Sequence, residues 1–139
     1  MVLVDGTGLP LGVHLAAANL AESHLAEATL ATVAVRRAGP GRPKQNPTRI
    51  IADRGYDSRQ LWWRLKRRGI QLIAPHQSTR THRYQDGRPL RRYRRRWIIE
   101  RTNAWLLSFR RLTIRHDHHL AHYRAFVHLA CALILLRRF

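Results

Sequence analysis

Two short apolar runs enclose an amphipathic segment near the middle of the chain, and this arrangement restricts the fold more than any other feature. RIIA (residues 49–52) and IQLIAP (70–75) flank SRQLWWRLKRRG (58–69). Short apolar runs bounded by turn-forming residues predict buried strands. Between them Leu61, Trp62 and Leu65 recur at helical spacing, Asp57 or Ser58 can cap the start, and Gly69 stops the segment. Residues 49–75 therefore predict a βαβ unit, with parallel strands and a right-handed crossover. The fold class is α/β.

The rest of the chain is arranged around this unit. MVLVDGTGLPLGVHLAAAN predicts a β-hairpin over 1–18, with Asp5-Gly6-Thr7-Gly8 at the turn. A helix is expected over 19–37, where Asn19-x-x-Glu22 has the form of a capping box and Leu25, Thr29 and Val33 follow at i, i+4 spacing. Gly and Pro make 38–48 a loop, and 76–89 is polar and irregular. Residues 90–139 predict C-terminal helices. One, from about Leu90 to Arg110, carries Ile98, Trp105, Phe109 and Leu112 on a core-facing stripe that continues past its end. The other, from about His119 to Arg137, is apolar nearly all round, which predicts a buried helix.

Charge then narrows the function. The 139 residues carry a formal charge of +18, with twenty-six Lys plus Arg against eight Asp plus Glu. All the basic residues except Lys44 and Lys66 are arginine. Such a surface repels itself unless a polyanion offsets it, and nucleic acid is the usual one. Twelve arginines lie between Ser78 and Arg115, against only Asp86 and Glu100, and five of them fall within Arg91–Arg96. That density predicts phosphate contacts. The interleaved aromatics Trp97 and Trp105 match the core stripe instead. Cys131, the only cysteine, cannot form an intramolecular disulfide and reads as a core residue. There is no signal-peptide pattern, and the C-terminal apolar run is about half a membrane span. A cytoplasmic protein is expected, with no membrane partner.

Against this background two isolated carboxylates stand out. Asp53 follows the strand RIIA, and the C-terminal edge of an α/β sheet is where ligands usually bind. Glu100 lies on a helix among Arg96, Arg101 and apolar residues. Asp53 could be a turn residue or helix-cap neighbour, and Glu100 an ion-pair partner; together they could bind a divalent metal through hard oxygen ligands. His118 and His122 stand at i, i+4 without an evident third ligand, so helix histidines without metal are expected there. GPGRPK has the Arg-Pro core of a minor-groove hook in a single copy.

ADRGYDS, followed by YRRRWIIERTNAWL and FRRL, resembles the catalytic core of DDE transposases of bacterial insertion sequences, and the similarity runs over nearly the whole chain. Tyr93, Arg96 and Glu100 match that family's Tyr-x2-Arg-x3-Glu signature; the position that commonly holds Lys further along is Leu107 here. The resemblance implies an RNase-H-like mixed sheet flanked by helices and lacking the first strand. It also implies two Mg²⁺ ions held by carboxylates, and phosphoryl transfer that cleaves DNA and joins strands at element ends. Asp53 and Glu100 would be the catalytic metal ligands. Tyr93 and Arg96 would position DNA phosphate, and Arg91, Arg92, Arg94, Arg95, Arg101, Arg110 and Arg111 would hold the duplex. Asp5 belongs to the hairpin turn and does not replace the family's first Asp. The expected protein is therefore one that is truncated and inactive alone, working with DNA and in a homo-oligomeric transposition complex, with an upstream portion completing the site. The alternative is a non-catalytic basic nucleic-acid-binding remnant.

Overall fold

A computed structural model describes residues 1–17, 19–36, 38–79, 81 and 87–138. The element order is β1 (Val2–Val4), β2 (Pro10–Val13), α1 (Glu22–Ala31), β3 (Arg49–Ile51), α2 (Arg59–Arg67), β4 (Gln71–Ile73), α3 (Trp97–Leu107), α4 (Arg110–Thr113) and α5 (Leu120–Leu136). Turns of 3₁₀ helix cover Arg54–Tyr56 and Arg88–Arg96. The chain is mixed α/β. Of the loop expected over 76–89, Arg80, Arg83, Tyr84 and Asp86 lie outside the described residues.

The central unit is built as its sequence dictates. Strands β3 and β4 run parallel, with Ile50 opposite Leu72 and Ile51 opposite Ile73. Ser58 caps α2, its Oγ accepting from Leu61 N at 3.4 Å. Gly69, at φ +74°, ends the helix in the left-handed conformation while Ile70 N bonds back to Leu65 O at 2.9 Å. Leu61 and Leu65 point into the interior and are fully buried. Each burial stabilises the fold by about 1.5–3 kcal/mol.

The hairpin separates two cores. Strands β1 and β2 pair antiparallel, Val2 opposite Val13. Strand alternation sends Met1 and Leu3 into a core with Leu30 of α1 and Leu61, Leu65 and Leu72 of the βαβ unit. Val2, Val13 and Leu15 face the other way, into a core with Leu106, Leu112, Val127 and Ile134 of the C-terminal helices. The turn of the hairpin is stapled by Asp5, whose Oδ1 accepts from Thr7 N at 2.8 Å, Thr7 Oγ1 at 2.8 Å and Leu9 N at 2.9 Å. Gly8 (φ +92°) packs against α3, where an added Cβ would come within 3.0 Å of Thr102 Oγ1.

Several expectations are corrected. The strands form two separate two-stranded sheets, β1–β2 and β3–β4, instead of one mixed sheet, because no described strand bridges β1 and β3. Helix α1 starts at Glu22 behind Ala21, without a side-chain cap, so the box expected from Asn19 does not form. The helix expected from Leu90 begins as 3₁₀ and becomes α-helical only at Trp97. Helix α5 is buried on one side only. Val127, Ala130, Cys131 and Ile134 are inside, but Leu129, Leu133 and Leu136 are exposed, because β2, α3 and α4 pack on it without encircling it. Among the described residues no helix is long and apolar enough to cross a membrane.

Candidate functional site

The end of β3 is where side chains from distant segments meet. Asp53 leaves the strand and caps the 3₁₀ turn that follows, its Oδ1 accepting from Arg54 N at 2.6 Å. Its side chain is nevertheless half-exposed. Tyr93 Oη donates to Asp53 Oδ1 at 3.3 Å and accepts from Arg96 Nη1 at 3.0 Å. The Nη2 nitrogen of Arg96 lies 3.6 Å from Asp53 Oδ2 and 3.0 Å from Glu100 Oε1. Both carboxylates thus lie within reach of one guanidinium nitrogen.

Local backbone geometry explains the spacing of these residues. In a 3₁₀ helix, side chains three apart eclipse one another. Tyr93 and Arg96 both lie in the 3₁₀ stretch, so their side chains align. In an α-helix, residues four apart share a face. Arg96 is the N-cap of α3, so Glu100 falls one α-helical turn beyond it. The change of helix type at Trp97 converts spacings of three and then four into one row of side chains facing Asp53.

Exposure decides what this row is worth to the fold. The side chains of Asp53, Arg96 and Glu100 are 49%, 36% and 58% exposed. Ion pairs so open to water contribute about 0–1 kcal/mol. The hydrogen bond that Arg96 donates to Tyr93, though opposed by desolvation and helped by Asp53 and Glu100, holds Arg96 more firmly protonated than usual. The arrangement is an acid–arginine–acid cluster that costs the protein little to open.

Three members of the cluster line a cavity of about 610 Å³. Its lining includes β1 (Val2, Leu3) and β3 (Ile50, Ile51) together with Asp53, Arg96 and Glu100. Two further lining residues, Glu22 and Tyr56, were not recognised as site residues in the sequence. Burial, then Glu22 and lastly Asp53, push the Tyr56 hydroxyl up to about 12. Only long-range contact marks these two: Tyr56 Oη lies 2.9 Å from Met1 Sδ across 55 residues. No short motif announces such a contact.

The expected DNA-binding arginines divide into groups. Arg91, Arg92, Arg94 and Arg110 are exposed and have no carboxylate partner among the described residues. Arg95 and Arg101 turn back to the hairpin, donating to Gly6 O at 3.1 Å and Thr7 O at 2.5 Å. Arg101 also stacks on Trp97 and Trp105, at 4.8 and 4.7 Å from the ring centroids. Arg111 covers Phe126 and lies 3.9 Å from Asp117. His118 and His122 are exposed, and among the described residues no three His, Cys, Asp or Glu side chains are grouped to hold a metal.

The chain matches the family model described as the transposase DDE domain over residues 1–135, and it belongs to that family. It is 35% identical over 133 residues to a putative transposase for the insertion sequence element IS402 from Burkholderia cepacia. That match covers 96% of this chain and 60% of the relative, so the chain spans less than two thirds of the relative's length. No solved structure gives a significant match.

Proposed function

We propose that the chain forms the downstream part of a transposase core of RNase-H-like fold, which acts in DNA transposition by cleaving and joining strands at insertion-sequence ends. The observation that carries this reading is Arg96 Nη2 in contact with both Asp53 and Glu100, one acid from a strand end and the other from a separate helix. The antiparallel hairpin, the parallel βαβ unit and the acid-bearing helix support the RNase-H-like assignment.

The residues fit Mg²⁺. Two hard-oxygen carboxylates lie half-exposed with a cation already between them, and Mg²⁺ is commonly bound through one or two carboxylates with water and phosphate completing its shell. Asp53 and Glu100 would hold it, and when bound it supplies charge neutralisation and activation of the attacking oxygen. Tyr93 fixes Asp53 and Arg96 by its two hydrogen bonds, leaving guanidinium donors beside the acids for a DNA phosphate. Arg91, Arg92, Arg94 and Arg110 add phosphate contacts along the exposed 3₁₀ stretch and α4. Arg95 and Arg101 act indirectly, by docking the hairpin turn on α3. The site takes its third carboxylate from outside the described residues, so this chain by itself binds DNA without joining strands. The complete enzyme would work in the bacterial cytoplasm as a homo-oligomer on DNA ends.

Binding of a short DNA duplex, with Mg²⁺ and with EDTA, tests this. Mg²⁺ should strengthen binding by the wild-type chain, and Glu100→Gln should remove that increment while keeping the salt dependence. The second reading, a non-catalytic nucleic-acid-binding protein, is favoured by the lack of a three-residue metal group among the described residues. It predicts salt-sensitive binding that ignores both Mg²⁺ and Glu100→Gln. Mg²⁺-dependent strand transfer by the 139-residue chain, abolished by Asp53→Ala, would contradict the need for a further carboxylate.

A further inference from the structure

The segment between α1 and β3 carries an Arg-Pro motif that the acid–arginine–acid cluster leaves unused, and the fold holds it as an anchored, open loop. Lys44 is fixed to Val35 by paired backbone hydrogen bonds, Lys44 N to Val35 O at 2.8 Å and Val35 N to Lys44 O at 3.0 Å. Asn46 ties the next residues to the end of α2, its Oδ1 accepting from Arg68 Nη2 at 2.7 Å and its Nδ2 donating to Arg68 O at 3.5 Å. Within the loop closed by Val35 and Lys44 the chain bends over residues 38–41, and Gly41 takes φ +130°, a conformation that glycine adopts freely. Pro43 then biases Arg42 toward extended backbone. Residues 38–46 are all exposed, and Arg42 has no hydrogen-bond or ion-pair partner among the described residues. No acid stands between Glu27 and Asp53 in the sequence, against Arg36, Arg37, Arg42, Lys44 and Arg49.

We propose that this loop reads the minor groove of A·T-rich duplex DNA, with Arg42 as the specificity-determining residue. An A·T run has a narrow minor groove whose enhanced negative potential draws in arginine. A·T pairs show only acceptors there, whereas a G·C pair projects the guanine amino group into the same space. The Gly41-Arg42-Pro43 tip is slim enough to enter, because Gly41 has no side chain and Pro43 fixes its own backbone. The last turn of α2, to which Asn46 ties the loop, carries the exposed Arg67 for a flanking phosphate. One inserted arginine adds discrimination more than affinity, and phosphate contacts elsewhere on the basic surface supply most of the binding. The proposal rests on the function proposed above only in taking DNA as the polyanion. It needs neither Mg²⁺ nor the carboxylates Asp53 and Glu100, so it is tested in EDTA.

The probes are three duplexes of equal length that differ only in a central run of A·T, G·C or inosine·cytosine pairs. Inosine lacks the guanine amino group, so its pairs resemble A·T in the minor groove and G·C in the major groove. The full chain should bind the A·T and inosine·cytosine duplexes at least about fivefold more tightly than the G·C duplex. Arg42→Ala should abolish that preference by weakening binding to the first two, while changing the salt dependence by no more than about one phosphate contact. Because Arg42 is exposed and unpartnered, denaturant unfolding of the variant should match the wild type. Equal binding of all three duplexes by the wild-type chain would overturn the proposal. So would inosine·cytosine behaving like G·C, a preference that survives Arg42→Ala, or an equal loss on all three duplexes, which is the mark of a phosphate contact. Loss of the Mg²⁺ increment in Glu100→Gln is a separate readout, so either reading can fail without the other.

Discussion

Asp53 and Asp57 stand four residues apart in the same loop, yet the structure uses them in opposite ways. Asp57 is 3% exposed. It accepts from Gln77 N at 2.9 Å and lies 3.3 Å from His76 Nδ1, tying the turn after β3 to the segment after β4. Asp53 caps a turn but stays half-exposed in the lining of a cavity, beside an arginine that also pairs with Glu100. Glu100 and Thr102 repeat the contrast on α3. Thr102 is fully buried and donates to Gly8 O at 2.7 Å, whereas Glu100 lies open. A buried polar group must be satisfied and therefore serves the fold; a half-exposed one adds little stability and remains available for ligands. Basic composition hides this distinction, because Asp53, Asp57 and Glu100 all have arginines near them in sequence.

The largest effect should come from the buried member of the first pair. Asp57→Ala removes the partner of His76 and Gln77 and should cost about 3 kcal/mol in denaturant unfolding, whereas Asp53→Ala should cost about 1 kcal/mol through loss of a cap. Equal losses would break the contrast. On α3, Thr102→Val should cost about 1–2 kcal/mol by leaving Gly8 O without its donor, while Glu100→Gln should stay within about 0.5 kcal/mol. Arg96→Ala should change stability by no more than about 1 kcal/mol, yet lower the salt dependence of DNA binding by about one phosphate contact. A smaller effect is expected at alkaline pH. Because the Tyr56 hydroxyl is raised from 10.0 to about 12, chiefly by burial, its contribution is complete below pH 10 and is lost as pH rises toward 12. Tyr56→Phe should flatten that part of the stability profile measured by thermal unfolding.

Much of this was legible in the sequence, for a physical reason. The βαβ unit is set by local signals: period, a serine cap and a stop glycine. Asp53 and Glu100 are paired through the family resemblance, and the Tyr-x2-Arg-x3-Glu spacing of Tyr93, Arg96 and Glu100 corresponds to one 3₁₀ step followed by one α-helical turn. What escaped depends on tertiary contact. The 3₁₀ stretch over Arg88–Arg96 has no sequence period of its own. Arg95 and Arg101 looked like free phosphate donors, but the carbonyls of the hairpin turn, about ninety residues earlier, bind them. Glu22 and Tyr56 enter the cavity because α1 packs beside the 3₁₀ turn Arg54–Tyr56. The open face of α5, with Leu129, Leu133 and Leu136 exposed, follows from which elements reach it and not from its own composition.

The most direct test of a shared cation site at the end of β3 is titration of the chain with Mn²⁺ as a Mg²⁺ surrogate, followed by electron paramagnetic resonance of the free ion. Asp53→Asn and Glu100→Gln should each weaken binding more than about tenfold, and the double variant should be little worse than either alone, because the two acids would hold one ion. Unchanged Mn²⁺ affinity in both single variants, with their folds intact, would contradict the account.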